Sequence, residues 1–534
     1  MRTSRLDLFS LTFYMSILDL PSIQVNECQL RELAQECRNV LEISNHPAYL
    51  FMRGSELVYV VNSTAENNTR PSLGIVREPQ LRHFLTHAAN FHRIYKRDKK
   101  TTVEDASPPG EAIQDILAMP DKCLLPVLDG LTEAPVVRPD GSVLETPGYD
   151  ETLRLYYSPG RLKKPKVSLN PTCTDVKNSV ALIDEVFHDF QFENQYSAAN
   201  ARALLFTPLI RPVIAPSNVP MFNWDANQAG SGKGLGTDIV SLIHTGALSA
   251  VKPAPDAGRN AEEEWKKLLL SILMAGSPIT LLDNVEGVMK SPALAAALTA
   301  SEYTDRLLGH SRMVTVPNRT VFILTGNNIV LGGDLPRRCV WIRLESKTSR
   351  PHLRTGFLHP NLRQWVREHR SELLSALLTI TSAWYKAGAP KFDSPRLGSF
   401  EDWSETIGGI LQFAGIDGFL GNSAQLYAQA DPSEAQWEAF LLALRSSFTS
   451  TRFTVQLVMD RMKLPGLLRN TLPDDVTDES FSPGEQLGNG FAKRLGRAFL
   501  AVASKRYGAN NIRIDRSDTR HGRATWVING DFEQ

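Results

Sequence analysis

Residues 220–243 read PMFNWDANQAGSGKGLGTDIVSLI, an apolar run followed by a glycine-rich loop and then a helix-forming run. Strand, loop and helix in that order place backbone N–H groups and a helix N-terminus around one point, which is the geometry that holds a phosphate. Gly230, Ser231 and Gly232 are small enough to let the backbone wrap an anion, and Lys233 is placed to reach its outer oxygens. The match to GxxxxGK[ST] is incomplete, because Asn227 takes the place of the first Gly and Gly234 that of the Mg²⁺-binding hydroxyl.

Three downstream stretches fit the same sheet. Ile279-Thr280-Leu281-Leu282 is a buried-strand pattern ending in Asp283, fifty residues after Lys233. A carboxylate at such a strand tip can hold the water shell of Mg²⁺; it is also a common helix cap. The run VFILTGNN, 321–328, ends in Asn327 and Asn328. An amide there can touch a γ-phosphate or orient water, and Asn is equally a turn residue. In GGDLPRRCVWIRL, 332–344, Arg337 and Arg338 precede a last strand. They read either as surface arginines or as groups offered to a neighbouring subunit's phosphate.

Working outward, the pattern divides into blocks. Residues 26–165 read as an α+β module: a helix from Leu30 to Leu41, the hairpins YLFMR/ELVYVV and APVVR/SVLET, and an apolar helix near Leu81 to Tyr95. The linker SPGRLKKPKVSLNPT, 158–172, marks a boundary. The segment 175–347 holds leading helices and then alternating strands and helices, the pattern of a mostly parallel sheet. The strands expected there are PMFNWDA, Ser249–Lys252, PITLLD, TVFILTG and CVWIRL. Residues 348–425 turn helical, and 434–534 return to a small α+β pattern.

Composition sets limits. A hydrophobic fraction of 42% and a charged fraction of 22% are those of a globular chain. The 58 basic and 58 acidic side chains cancel, so attraction to nucleic acid has to come from local patches. Five cysteines without a CxxC pair argue against structural zinc and fit reduced thiols in a cytoplasm. The start, MRTSRLDLFSLTFYMSILDLPSI, is too short to span a bilayer and is read as a loose tail or an over-extended start upstream of Met15, with no membrane segment expected elsewhere.

The stretches DANQAGSGKG, ITLLDNVEG, Tyr303-Thr304-Asp305-Arg306-Leu307-Leu308-Gly309, TVFILTGNN and DLPRRCVWIRL together resemble the AAA+ helicase-type ATPases of bacterial prophages and mobile elements. These are the primase-associated and minichromosome-maintenance-like replicative helicases. GSFEDWSETIGGILQFAGIDGFLGN, 398–422, is similar to that group's lid, and Arg138-Pro139-Asp140-Gly141 through Pro147-Gly148-Tyr149-Asp150 to a domain often fused ahead of it. The resemblance implies an α/β fold: an AAA+ P-loop core, an N-terminal α+β domain, a helical lid and a C-terminal winged-helix-like domain. It implies ATP and Mg²⁺ as cofactors, with Lys233 as the Walker A lysine, Asp283 as the metal carboxylate and Asn327 as sensor 1. Arg337 or Arg338 becomes the arginine finger, and Arg396 is the nearest candidate for sensor 2. Asn284 occupies the usual place of the catalytic Glu, which leaves Glu286 to orient water. Slow or absent hydrolysis is compatible with Gly234 and Asn284.

The C-terminal end supplies the local charge. From Phe491 to Thr525 nine basic residues face two acidic ones. A helix with Phe491, Leu495, Phe499 and Val502 on one side precedes a basic ribbon, which resembles a winged helix and points to DNA contacts at Lys505, Arg506, Arg513, Arg516, Arg520 and Arg523. The expected protein is a hexameric, DNA-stimulated ATPase that translocates on or unwinds single-stranded or forked DNA in replication of a mobile element or prophage, with a primase or another replication protein as a partner. Two alternatives stand beside it: a nucleotide-switched DNA-binding scaffold with little turnover, and an ATPase that remodels proteins.

Overall fold

The computed structural model describes residues 20–61, 70–97, 100–168, 170–248, 250–255, 260–285, 288–307, 312–392, 396–423, 432–449, 451–463, 466–474, 476–477, 489–508, 510–520 and 523–532. The chain divides into two compact units, Met1–Ile329 with Arg337–Asn422, and Val330–Pro336 with Ser423–Gln534.

At the centre of the larger unit lies a five-stranded parallel sheet: β1 (Met221–Ala226), β2 (Val251–Pro253), β3 (Ile279–Val285), β4 (Val321–Gly326) and β5 (Cys339–Leu344). All five are the strands expected from sequence. Their order is β2-β3-β4-β1-β5, and every pairing is parallel. Parallel neighbours need crossovers, here helices α1 (Lys233–Thr245), α2 (Ala261–Met274) and α3 (Pro292–Thr299). Burial on both faces explains why β1, β4 and most of β5 are buried at every position instead of alternating. The order reverses at β1, so a crevice opens beyond its carboxyl end, where α/β sheets bind ligands.

The N-terminal module packs helices Leu30–Ser44, Glu78–Ala88 and Gly110–Ala118 on short sheets. Its core includes Cys37, Leu41, Leu50, Leu81, Leu85, Phe91 and Ile113. One expectation is corrected here. The helix read over Leu81 to Tyr95 stops at Ala88, and Asn90–Arg97 is a strand. That strand pairs in parallel with Ser22–Gln24 and antiparallel with Lys100–Ala106, and those cross-strand bonds outweigh the helical spacing of the apolar residues. The basic run HRIYKR is therefore half of a hairpin.

Helices Leu362–Glu368, Arg370–Lys386 and Glu401–Phe413 follow β5. Arg363 pairs with Asp238 on α1 at 2.7 Å, which ties the first of them to the loop's helix. No helix among the described residues is long and apolar enough to cross a membrane.

The smaller unit has its own core of Trp437, Phe440, Phe453, Leu495, Phe499 and Trp526. Helices Pro432–Phe448, Val455–Arg461 and Asn489–Val502 pack with a three-stranded antiparallel sheet, ordered Phe453–Thr454, Arg523–Asn529, Arg513–Arg520.

Candidate functional site

The loop between β1 and α1 owes its shape to its glycines. Gly230 and Gly232 sit at φ 79° and 100°, in the left-handed region that side chains disfavour. Gly232 is the N-cap of α1, and the first helical bond runs from the Gly236 N–H to its carbonyl at 2.9 Å. The N–H groups of the preceding turn have no partner within the helix and are available to an anion.

Asn227, the departure from the expected first Gly, turns out to be a staple. Its side chain donates to the Ser346 carbonyl at 3.1 Å and accepts from the Ser346 N–H at 3.0 Å, fixing the loop to the end of β5. Gly236 explains the second half of the motif. A Cβ there would meet the Trp224 ring at 2.5 Å, so only glycine lets α1 lie this close to β1. Gly234, the other departure, has open space around it: a Cβ would find nothing within 4 Å.

Lys233 and Asn327, ninety-four residues apart, meet at the carboxyl ends of the strands, where Lys233 Nζ donates to Asn327 Oδ1 at 2.5 Å. Partial burial pushes the Lys233 ammonium's pKa down, with Asp225 and Asp283 pulling the other way. The hydrogen-bond acceptor of this half-desolvated cation is a neutral amide, an arrangement that an incoming anion improves. Asp283 stands on β3, two strands from β1 and so roughly 10 Å to its side. Thr325 Oγ1, buried on β4, donates to Asp283 Oδ1 and accepts from the Asn284 N–H at 3.0 Å. Asn284 adopts a φ of 54°, and the β3–β4 register shifts between Leu282 and Val285. This bulge takes Asp283 out of the β3–β4 pairing, while it stays paired with Pro253 of β2, and such bulges are common beside active sites.

Sequence reasoning missed three contributors. Thr325 reads as an ordinary strand residue, and only the pairing of β3 with β4 reveals its role. Asp225 is fully buried, and burial raises its pKa; it is held by Arg343 at 2.5 Å and by the Ile329 N–H at 3.1 Å. Phe190 lies 3.7 Å from where a Gly232 Cβ would stand, and with Phe192, Glu193 and Lys347 it lines a cavity of ≈ 460 Å³ beside the loop. The signal for it was the aromatic pair in DFQFEN, 189–194.

Not every candidate joins this site. Arg337 and Arg338 precede β5, whose first residue pairs with Met221, the start of β1. They therefore lie a full strand length, roughly 20 Å, from the loop of their own chain. Arg337 is exposed, whereas Arg338 is half-buried and donates to the Ala295 carbonyl of α3. Arg396 pairs with Glu405 at 3.2 Å. Glu286 lies outside the described residues. In the smaller unit Lys493, Arg494, Arg497, Lys505, Arg506 and Arg516 are exposed, and Arg513 is half-buried against Asp515 at 3.0 Å. Arg520 and Arg523 end the two strands of the ribbon, and their side chains are outside the described set.

No family model matches the chain, and no curated protein matches it. Among solved structures, the chain is similar to the C-terminal region of NrS-1 at 13% identity and a TM-score of 0.36, covering 89% of this chain and 96% of that one. It is also similar to SCCmec type IV Cch, described as an active helicase, at 10% identity and a TM-score of 0.30 over 83% and 86%. JCV helicase aligns at 14% identity and a TM-score of 0.20 over 50% and 69%. Likenesses this distant carry no functional conclusion.

Proposed function

We propose that the chain is an ATPase of the AAA+ type that moves on or unwinds DNA. The observation that carries the nucleotide half is the convergence of Lys233, Asn327, Thr325 and Asp283 on the crevice at the carboxyl end of β1, below two left-handed glycines. Loop amides and Lys233 would take the phosphates of ATP, and Phe190 its base. Asp283 suits the water shell of Mg²⁺, since Thr325 fixes one carboxylate oxygen and leaves the other to accept from it. When bound, the metal supplies charge neutralisation at the phosphates. With Gly234 offering no hydroxyl, the protein's share of that shell rests on Asp283. Asn327 positions water or the γ-phosphate. Arg337, exposed and far from its own loop, is the arginine offered in trans, which makes a ring of subunits the working form.

The DNA half rests on the exposed basic face of Asn489–Val502 and on the ribbon that follows, in a helix-then-ribbon order similar to a winged helix. A second reading is a DNA-binding scaffold switched by nucleotide with negligible turnover. It is favoured by Gly234 and by the left-handed Asn284, which engages Thr325 through its backbone. ATPase assays with and without single-stranded DNA separate the two. Stimulated turnover in the wild type, reduced roughly 10²-fold or more in Lys233→Ala with an unchanged melting curve, supports the motor. Unstimulated, Lys233-independent turnover removes it.

A further inference from the structure

Arg343 on β5 stands in register with Asp225 on β1, and its guanidinium divides among three partners. Nη1 donates to Asp225 Oδ2 at 2.5 Å, Nη2 donates to Asn328 Oδ1 at 3.1 Å, and Nε lies 3.3 Å from Glu193 Oε1. Asp225 is fully buried, and its other oxygen accepts from the Ile329 N–H at 3.1 Å. Between these contacts the Asn328 N–H donates to the carbonyl of Ala226, the last residue of β1, also at 3.1 Å. The turn that follows β4 is therefore clamped at residues 328 and 329, and the Asp225–Arg343 pair makes two of those bonds.

The residue just before the clamp is Asn327, whose Oδ1 meets Lys233 Nζ. Asn327 and Asn328 are both exposed, so burial of their side chains does not fix the turn. Asn328 stands at φ 47°, a left-handed conformation that persists where surrounding contacts over-determine it. Replacing a buried charged pair by apolar residues of similar volume often costs no stability. Such a replacement would, however, remove both side-chain bonds that hold this turn.

We infer that Arg343 is a positioning residue for ATP turnover: with Asp225 it locks the turn after β4 so that the Asn327 amide faces the outer phosphate. The inference rests on the reading of the glycine loop as an ATP site. Arg343 acts through Asn328 and Ile329 and not on the nucleotide itself. Through Glu193 the same guanidinium also reaches the wall of the cavity beside the loop. A lysine would keep a positive charge beside Asp225, but it lacks the planar fork that spans Asp225 and Asn328 together.

The test measures steady-state ATP hydrolysis, equilibrium binding of a non-hydrolysable ATP analogue with Mg²⁺, and Tm. It compares the full chain with Asn328→Gly, Asn328→Asp, Arg343→Lys and Arg343→Gln. Glycine suits the left-handed φ and removes only an exposed amide, so Asn328→Gly carries the test should Arg343→Gln, which strands a buried carboxylate, fail to fold. The expected result is a kcat lowered roughly 10- to 100-fold in Asn328→Gly and Arg343→Lys, as for a misplaced group, while analogue affinity holds. Asn328→Asp keeps an acceptor for Arg343 and tolerates the same φ, so it should retain the rate. Wild-type kcat in Asn328→Gly overturns the proposal. A loss of affinity and Tm in parallel with the rate also overturns it, by making the pair structural only. So does a wild type that binds the analogue without hydrolysing ATP, since no step is left to position. Failure of the ATP-site reading itself shows separately, as a wild type that binds no analogue or binds it equally after Lys233→Ala, and it takes the proposal with it.

Discussion

Gly234 shows how one position sets both local geometry and chemistry. It lies in the first turn of α1 with open space where a side chain would go. Gly234→Thr therefore adds the missing hydroxyl without a clash, and helix propensity favours the change by a few tenths of a kcal/mol. The expected outcome is a Tm unchanged or slightly raised, with tighter Mg²⁺ dependence and faster ATP turnover in steady-state assays. Turnover falling in a stably folded variant would show that Gly234 is needed as glycine, against a metal-shell role for this position. Arg337 and Arg338 diverge at the same scale. Arg337→Ala should cut hydrolysis by about 10³-fold while nucleotide affinity holds. Mixing it with Lys233→Ala subunits should restore part of the rate. Nucleotide binding lost along with hydrolysis, or no recovery on mixing, would count against action in trans. Arg338→Ala also removes an anchor on α3, so a drop in Tm is expected from it as well.

Helix α1 carries a pH dependence of its own. His244, in its last turn, is buried, and its Nε2 lies 2.8 Å from the Leu205 carbonyl. Burial, partly offset by the Leu205 carbonyl and reinforced by the nearby Arg370, lowers its pKa from 6.5 to about 4. A depressed folded pKa means that the unfolded chain takes up the proton first. The contribution is therefore complete above about pH 6.5 and is lost as pH falls toward 4, amounting to as much as about 3 kcal/mol. Denaturant melts of His244→Gln across that range should show a flatter pH profile than the wild type. Parallel profiles would mean that His244 is not the titrating group.

At the scale of the whole molecule, a chain with balanced charge carries a local run of exposed cations, Lys493, Arg494, Arg497, Lys505, Arg506 and Arg516, within its smaller unit. Replacing Lys505, Arg506 and Arg516 with Ala removes about three phosphate contacts. The log–log salt dependence of DNA affinity should then become shallower by roughly 2 to 3 units. These residues belong to the unit that lacks Lys233 and Asp283, so ATPase activity without DNA should hold. An unchanged slope in salt titrations would make the basic face a solvated surface and remove this unit's part in DNA binding.

Local pattern alone determined a good deal of this protein. Buried runs such as VFILTG mark central strands because both faces of a parallel sheet are covered. The glycines at 230 and 232 mark a loop because few other residues adopt their φ. Order along the chain set Lys233, Asp283 and Asn327 as candidates, and the fold brings Lys233 and Asn327 into contact. Other features belong to pairs of residues that no local pattern records. Thr325 acquires its meaning from a carboxylate forty-two residues earlier, Asn227 from a backbone group over a hundred residues later, and Arg343 from a buried acid over a hundred residues earlier. The same limit turned part of Leu81 to Tyr95 from helix into strand, since its partners Ser22–Gln24 and Lys100–Ala106 lie on either side in sequence. Backbone preference and periodicity act within a few residues of chain. Strand order and the placing of one charge beside another come from closing loops over long separations, and those only the tertiary structure decided.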